Sequence, residues 1–451
     1  MPGIMKYLIV LLSAFLPISL DAQEVYYSSV EGLPADNVSV YIEDLRSGNV
    51  LLDVNGEIPM TPASVTKLFT AATVFQTSDL GATFITPVYI TGKIKNGILN
   101  GDLIIASSGD PTLESRYFPE KKGFADSIVS KIKALGIKTI KGDIRIKKPK
   151  ILSEAVPAGW KESDVVHPYG AGYHAFNYAD NRIALTFKKN GSFTFAPITP
   201  GLKAKKGKNR NGENVWREKE GTTFYVDHNG KKPLSLEVAN PLPENTFIEL
   251  LKAKLKSDSI PVDGLKFSGK QKQTEIYSHA SPTIYEILKS MVLRSDNQMA
   301  ESMLRYAFPE CSRKDAVRKE TELWKDLGVD VRDMSLEDGS GLSRNNRLTA
   351  YNLADMLVWM AINGNNFFDF INMLPRAGET GTLKSFLRST QLQGRFLAKT
   401  GSLNGVQCYA GYVVDAIGIP THVVVLMVNG FKGNRSDIKS VLQQLLIEKI
   451  H

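Results

Sequence analysis

The chain changes texture twice, and the two outer stretches match each other better than either matches what lies between them. Near the N-terminal end, Val38-Ser39-Val40-Tyr41-Ile42-Glu43 reads as a strand, Ser47-Gly48-Asn49 as its turn and Val50-Leu51-Leu52-Asp53-Val54 as the returning strand. From Pro62 a helical period takes over, with Val65, Leu68, Phe69, Ala72 and Val74 on one side and Pro62 suited to the first turn. From about residue 86 to 275 Gly and Lys become frequent. Short β-like runs appear there (Leu103–Ala106, Thr139–Ile146, Arg182–Phe187), with one helical stretch from Phe124 to Leu135. From about residue 280 helical periodicity returns over Ile284–Leu293, Met299–Ala307, Ala316–Leu327 and Ala350–Ile362. Strand-like runs then follow at Arg395–Thr400, Tyr409–Val414 and Thr421–Val428, and a closing helix at Asp437–Ile450. The stretch 86–275 reads as a separate domain, or two. No internal repeat of fixed period is present.

At 451 residues the chain is long enough for two or three domains. Its 43% hydrophobic and 23% charged content excludes disorder over most of that length. Residues 1–22 stand apart: Lys6, the apolar run Tyr7–Leu16, Pro17 and a cut site after Ala22 form the pattern of a secretory signal. The competing reading, an uncleaved anchor, asks for about 20 apolar residues and finds fewer. Cleavage removes Lys6 and Asp21 and leaves the net charge at +8. A basic exported protein faces an anionic cell envelope rather than nucleic acid. Much of the excess sits in Lys203–Lys232, expected to be a solvated loop; peripheral contact of that stretch with membrane or wall stays open, as does oligomeric state. Cys311 and Cys408 can pair or stay free in an oxidising compartment. They are neither a disulfide framework nor a zinc motif, and the six histidines have no metal-ligand spacing.

Three short motifs carry chemistry. In Ser64-Val65-Thr66-Lys67, positions i and i+3 share a helix face, so Lys67 Nζ reaches Ser64 Oγ. A serine hydroxyl needs a base, and a lysine is one only if burial or a neighbouring cation lowers its pKa. In Ser295-Asp296-Asn297 a hydroxyl can relay a proton and an amide can orient a substrate amide. In Lys399-Thr400-Gly401, at the end of a strand-like run, a cation can draw in a carboxylate, and Gly401 leaves the strand edge open to an extended peptide. The N–H groups of Ser64 and Ser402 would then form an oxyanion hole. Each motif is weak alone. The first recurs at Ser436–Lys439, and the second at Ser343-Arg344-Asn345 and Ser402-Leu403-Asn404. In this order the three form the penicillin-recognising set.

With that set the chain resembles the low-molecular-mass class C penicillin-binding proteins, the D-Ala-D-Ala carboxypeptidase/endopeptidases. Further resemblance lies in Ser108–Leu113, Asp338–Arg344, Leu374-Pro375 with Ala377-Gly378, Gly381-Thr382-Leu383, and Ala398–Leu403. The likeness covers essentially all of the chain beyond the signal. It implies an α/β (α+β) fold: a β-lactamase/transpeptidase-like antiparallel sheet flanked by helices, assembled from residues 23–85 and 276–451, with β-rich insertions over 86–275. It implies a serine peptidase acting on peptidoglycan stem peptides, acylated by β-lactam antibiotics and needing no cofactor. Ser64 would be the nucleophile, Lys67 its base, Ser295 the relay and Asn297 the amide contact. Lys399, Thr400, Gly401 and Ser402 would receive the terminal carboxylate. Asp164 and Tyr169 of the insertion, with Arg344 and Asn404, would read the residue that forms the cross-link. Asn404 stands where the family often has glutamine. A silent wall-peptide binder or sensor and a β-lactamase are the competing functions; no glutamate is marked as a deacylating base.

Overall fold

A computed structural model describes residues 37–150, 154–188, 190, 192–210, 212–228, 234–267 and 271–450. The expected secretory signal at 1–22 lies outside the described residues. A five-stranded sheet joins the two ends of the chain in the order Phe396–Leu403, Val406–Val414, Pro420–Asn429, Val38–Asp44, Val50–Val54, every neighbour antiparallel. Side chains alternate across a strand. Val423, Val425 and Met427 therefore pack into one apolar cluster, while Val424, Leu426 and Val428 pack into another. Both faces are covered, which is why this strand is apolar without interruption. Each fully buried Val or Leu contributes about 1.5–3 kcal/mol.

On one face lies the C-terminal helix Arg435–Lys449, which seats Ile438, Leu442, Leu445 and Leu446. On the other lie Lys67–Thr77, Ile284–Arg294, Asn297–Ala307, Arg313–Asp326 and Ala350–Asn363. Their starts are set by side-chain caps. Thr283 and Glu286 form a capping box, and the Ser312, Thr349 and Asp296 side chains accept backbone N–H groups one turn on. The helix Lys67–Thr77 is buried from Lys67 through Phe75, as expected for a helix at the centre of a core. Its start differs from the sequence reading. The α-helix begins at Lys67, and Ala63–Thr66 is a separate 3₁₀ turn with Pro62 outside it.

The chain leaves this body and returns to it on a single antiparallel ribbon, Thr83–Thr91 against Gln273–Thr283, with Thr91 opposite Gln273 and Thr83 opposite Thr283. Leu103–Ala106 and Ile144–Lys147 extend the ribbon to four strands. The run expected over Thr139–Ile146 is broken: Thr139–Ile140 belongs to a second small sheet, and Ile144–Lys147 to this one. Two helices cover the ribbon, Phe124–Ala134 and Pro243–Ser257, with Phe124 stacked on Phe247 at 5.3 Å. The second helix was not expected, although Pro243 at its start and Phe247, Leu251 and Leu255 at i, i+4, i+8 are its signature. Two three-stranded sheets enclose a further cluster of Val166, Ile183, Leu185, Phe224 and Val226. The expectation of a solvated loop over Lys203–Lys232 is corrected here. Lys203–Lys206, Val215–Trp216 and Thr223–Val226 are strands, because Phe224 and Val226 point inward while the lysines face water.

Cys311 and Cys408 are both free and sit in different apolar clusters. Among the described residues no helix is long and apolar enough to cross a membrane.

Candidate active site

The 3₁₀ turn explains why Ser64 and Lys67 meet. In that helix side chains three apart eclipse, and Lys67 Nζ lies 3.0 Å from Ser64 Oγ. The turn is entered through Ala63, held at φ +50°, a left-handed conformation that costs a non-glycine residue about 1–2 kcal/mol.

Lys67 is fully buried, and burial pulls its pKa down to about 8, against the opposing pull of Asp338, Asp296 and Glu301. Nζ has two further contacts: Asn297 Oδ1 at 2.6 Å and the Ser340 carbonyl at 2.5 Å. Both are carbonyl oxygens that can only accept, so they hold two of the amine hydrogens. The remaining direction on Nζ points at Ser64. It carries a proton when the amine is charged and a lone pair when it is neutral. That is the geometry of a base.

Ser295 ends the helix Ile284–Arg294 at φ +58° and so turns out of the helix toward the cleft. Its hydroxyl accepts from Lys399 Nζ at 2.8 Å; the same ammonium donates to the Thr400 carbonyl at 2.7 Å. Lys399 is also fully buried. Burial, reinforced by the charge of Lys67, lowers its pKa well below the usual lysine range. Asn297 opens the next helix and is bonded at both ends of its amide: Oδ1 accepts from Lys67, and Nδ2 donates to the Tyr169 carbonyl at 2.9 Å. In this state its amide braces the lysine and the inserted segment.

Lys399, Thr400, Gly401 and Ser402 follow one another along the edge strand Phe396–Leu403; its first half pairs outward with Pro375–Ala377 through a bridge at Arg376 and Leu397, and the stretch from Lys399 on is where an extended peptide could add. Gly401 has a reason the sequence did not reveal. A Cβ there would stand 2.4 Å from the Pro62 carbonyl, so its absence lets the strand lie against the turn that carries Ser64. Thr400 Oγ1 donates to Thr382 Oγ1 at 2.8 Å, and the Ser402 hydroxyl donates to Gln407 Oε1 at 3.0 Å.

Ser64, Ser295, Asn297, Ser402, Asp164, Tyr169, Arg344 and Asn404 line one cleft of about 440 Å³. Lys67 and Lys399 lie beneath it. At its mouth the Tyr169 hydroxyl donates to Asp164 Oδ1 at 3.1 Å, and Arg344 donates to the Asn404 carbonyl at 3.1 Å. Arg344 Nε is buried without a partner.

Several residues with a part in the site were not picked out from sequence. Thr382 was noted only as part of a resemblance. Ser340 acts through its carbonyl. Asp338, fully buried, accepts from Gly341 N, Ser343 N, Asn346 Nδ2 and Trp160 Nε1, each at 2.7 Å, and so holds the loop that carries Ser340. The signal for Asp338 was available: an acid in a Gly-Ser-Gly run, where backbone N–H groups are free to converge.

Residues 23–448 match the family model described as the D-Ala-D-Ala carboxypeptidase 3 (S13) family. The D-alanyl-D-alanine carboxypeptidase DacB of Haemophilus influenzae is 27% identical over 420 residues, covering 88% of this chain and 86% of that protein. The D-alanyl-D-alanine carboxypeptidase of an Actinomadura species is 27% identical over 418 residues, covering 83% and 74%. Penicillin binding protein 4 (dacB) of H. influenzae superposes with a TM-score of 0.79 at 24% identity, over 96% of this chain and 99% of that one, which establishes the fold. With the family model matched from residue 23 to 448, this chain belongs to the D-Ala-D-Ala carboxypeptidase 3 (S13) family.

Proposed function

We propose that Ser64 attacks the carbonyl between the two terminal D-alanines of a peptidoglycan stem peptide. Neutral Lys67 takes the Ser64 proton as the Oγ–carbon bond forms. The substrate lies along the edge strand, its carboxylate received by Lys399, the Thr400 and Thr382 hydroxyls and Ser402. The negative charge of that carboxylate favours the protonated form of Lys399. The amide bond then breaks, and the proton taken by Lys67 passes through the Ser295 hydroxyl to the departing amine, leaving Lys67 neutral and the Ser295 hydroxyl intact. Water releases the acyl group from Ser64. Nothing in this sequence of steps calls for a cofactor.

The observation that carries the reading is the Lys67–Ser64 contact of 3.0 Å, with the other two amine hydrogens already committed to carbonyl oxygens. A β-lactam would acylate the same hydroxyl; a structure of the H. influenzae protein is described as a complex with a β-lactam. At the mouth, Asp164 and the Arg344 guanidinium suit the amine and carboxylate of a diamino-acid cross-link. The insertion spans 86–275 and supplies that wall. The enzyme works outside the cytoplasm, after export directed by residues 1–22.

Ser64→Ala tests this. D-Ala release from a D-Ala-D-Ala peptide and covalent penicillin labelling should both vanish in a folded variant. Retained D-Ala release would remove Ser64 from the chemistry.

A further inference from the structure

Beneath the lysine lies a second buried acid whose bonds lead away from the cleft. Glu301 is 1% exposed, on the helix Asn297–Ala307. Its Oε1 accepts the backbone N–H groups of Gly339 at 3.1 Å and Ser340 at 3.0 Å, on the loop whose Ser340 carbonyl holds Lys67. Its Oε2 accepts from Arg313 Nε at 3.1 Å. Arg313 in turn donates to the Glu154 carbonyl at 2.6 Å and to Glu154 Oε2 at 3.3 Å. Glu154 precedes the stretch 160–169 that forms the wall of the mouth.

We propose that Glu301 is a positioning residue for Lys67: it fixes the Ser340 carbonyl through two backbone N–H groups and ties that loop, through Arg313, to the inserted segment. This rests on the reading of Lys67 as the base. Two oxygens of one carboxylate serve two jobs, so length and charge can be separated by substitution. Facing Glu301 are Arg313, Asp338 and Glu320; facing Lys67 are Glu301, Asp338, Asp296 and Lys399. Among these, Glu301 is one of the three carboxylates that favour the charged form of Lys67, in opposition to burial. Removing its charge makes the amine easier to deprotonate. Shortening the side chain leaves the charge and releases the loop.

The test measures penicillin acylation rate against pH, normalised to the fraction of protein that penicillin can titrate, so that unfolded material drops out. In Glu301→Gln the amide oxygen still accepts the two N–H groups, while the amide NH2 replaces the oxygen that accepted from Arg313 Nε and so releases that tie. The midpoint of the rate should move to lower pH by up to about one unit, with a plateau within about tenfold of the parent. In Glu301→Asp the midpoint should stay, and the plateau should fall by about ten- to a hundredfold, because a misplacement of about 1 Å is enough for that. A purely structural role lowers the titratable fraction and moves neither quantity. Midpoint and plateau both unchanged in the two variants would overturn the proposal. Acylation that persists in Lys67→Met would instead overturn the underlying reading of the base.

Discussion

The floor of the cleft and its mouth are built differently. On the floor, Lys67, Lys399, Asn297, Asp338 and Glu301 are each at most 7% exposed. Each has a hydrogen-bond partner in place without substrate: Lys67 and Asn297 bond each other, Lys399 bonds Ser295, Asp338 bonds Asn346 and Glu301 bonds Gly339 N. At the mouth, Tyr169 is 48% exposed, and Asp164, Arg344 and Asn404 are linked by single contacts. The groups proposed to move protons have their hydrogen-bond partners in place beforehand, and the groups that would read the substrate are left with unused capacity. Preorganised donors cost no rearrangement at the moment of reaction. A recognition surface with spare donors can exchange water for substrate.

The difference can be broken at several points, from the strongest effect downward. Lys67→Met should cut penicillin acylation by about 10³-fold, within the usual range for loss of a general base, with near-UV circular dichroism still native. The parent protein carries the matching pH signature. Below a pH of about 8 Lys67 is charged and cannot accept a proton, so the acylation rate should climb about tenfold per unit toward that pH and level off above it. A limb near the ordinary lysine value would mean that burial does not set the base. At the mouth, Asp164→Asn should weaken kcat/KM for a peptide with a diamino-acid side chain by about tenfold, the value of one charged hydrogen bond. Penicillin, which lacks that side chain, should acylate the variant within about threefold of the parent rate. Equal losses on both substrates would erase the distinction between floor and mouth. The smallest readout is stability. Trp160→Phe removes the indole N–H from buried Asp338 and should cost about 1–3 kcal/mol in urea unfolding. Asp164→Asn, at the mouth, should stay within about 0.5 kcal/mol.

The same contrast governs what sequence could reveal. Ser64, Lys67, Ser295, Asn297 and Lys399, the residues proposed to carry the chemistry, stand out in sequence because that chemistry would need particular side chains in a particular order. The next layer is not, because much of it is backbone. Any residue offers the carbonyl that Ser340 offers, and Gly339 and Ser340 contribute only N–H groups. The left-handed turn at Ala63 has no sequence signal, since alanine rarely adopts it. The five-stranded sheet was legible where strands are covered on both faces, as in Thr421–Val428. The insertion was harder to read. Its strands at 203–226 are two to four residues long and carry lysines outward, so composition outweighs period. The helix Pro243–Ser257 hides because its apolar residues, Phe247, Ile248, Leu250, Leu251 and Leu255, are interleaved with Glu249, Lys252, Lys254 and Lys256.

The most direct test is intact-mass analysis after brief penicillin treatment, followed by peptide mapping of the adduct. One acyl group per chain, borne by the peptide that contains Ser64 and lost in Ser64→Ala, is the expected result. An adduct on any other residue would contradict the account.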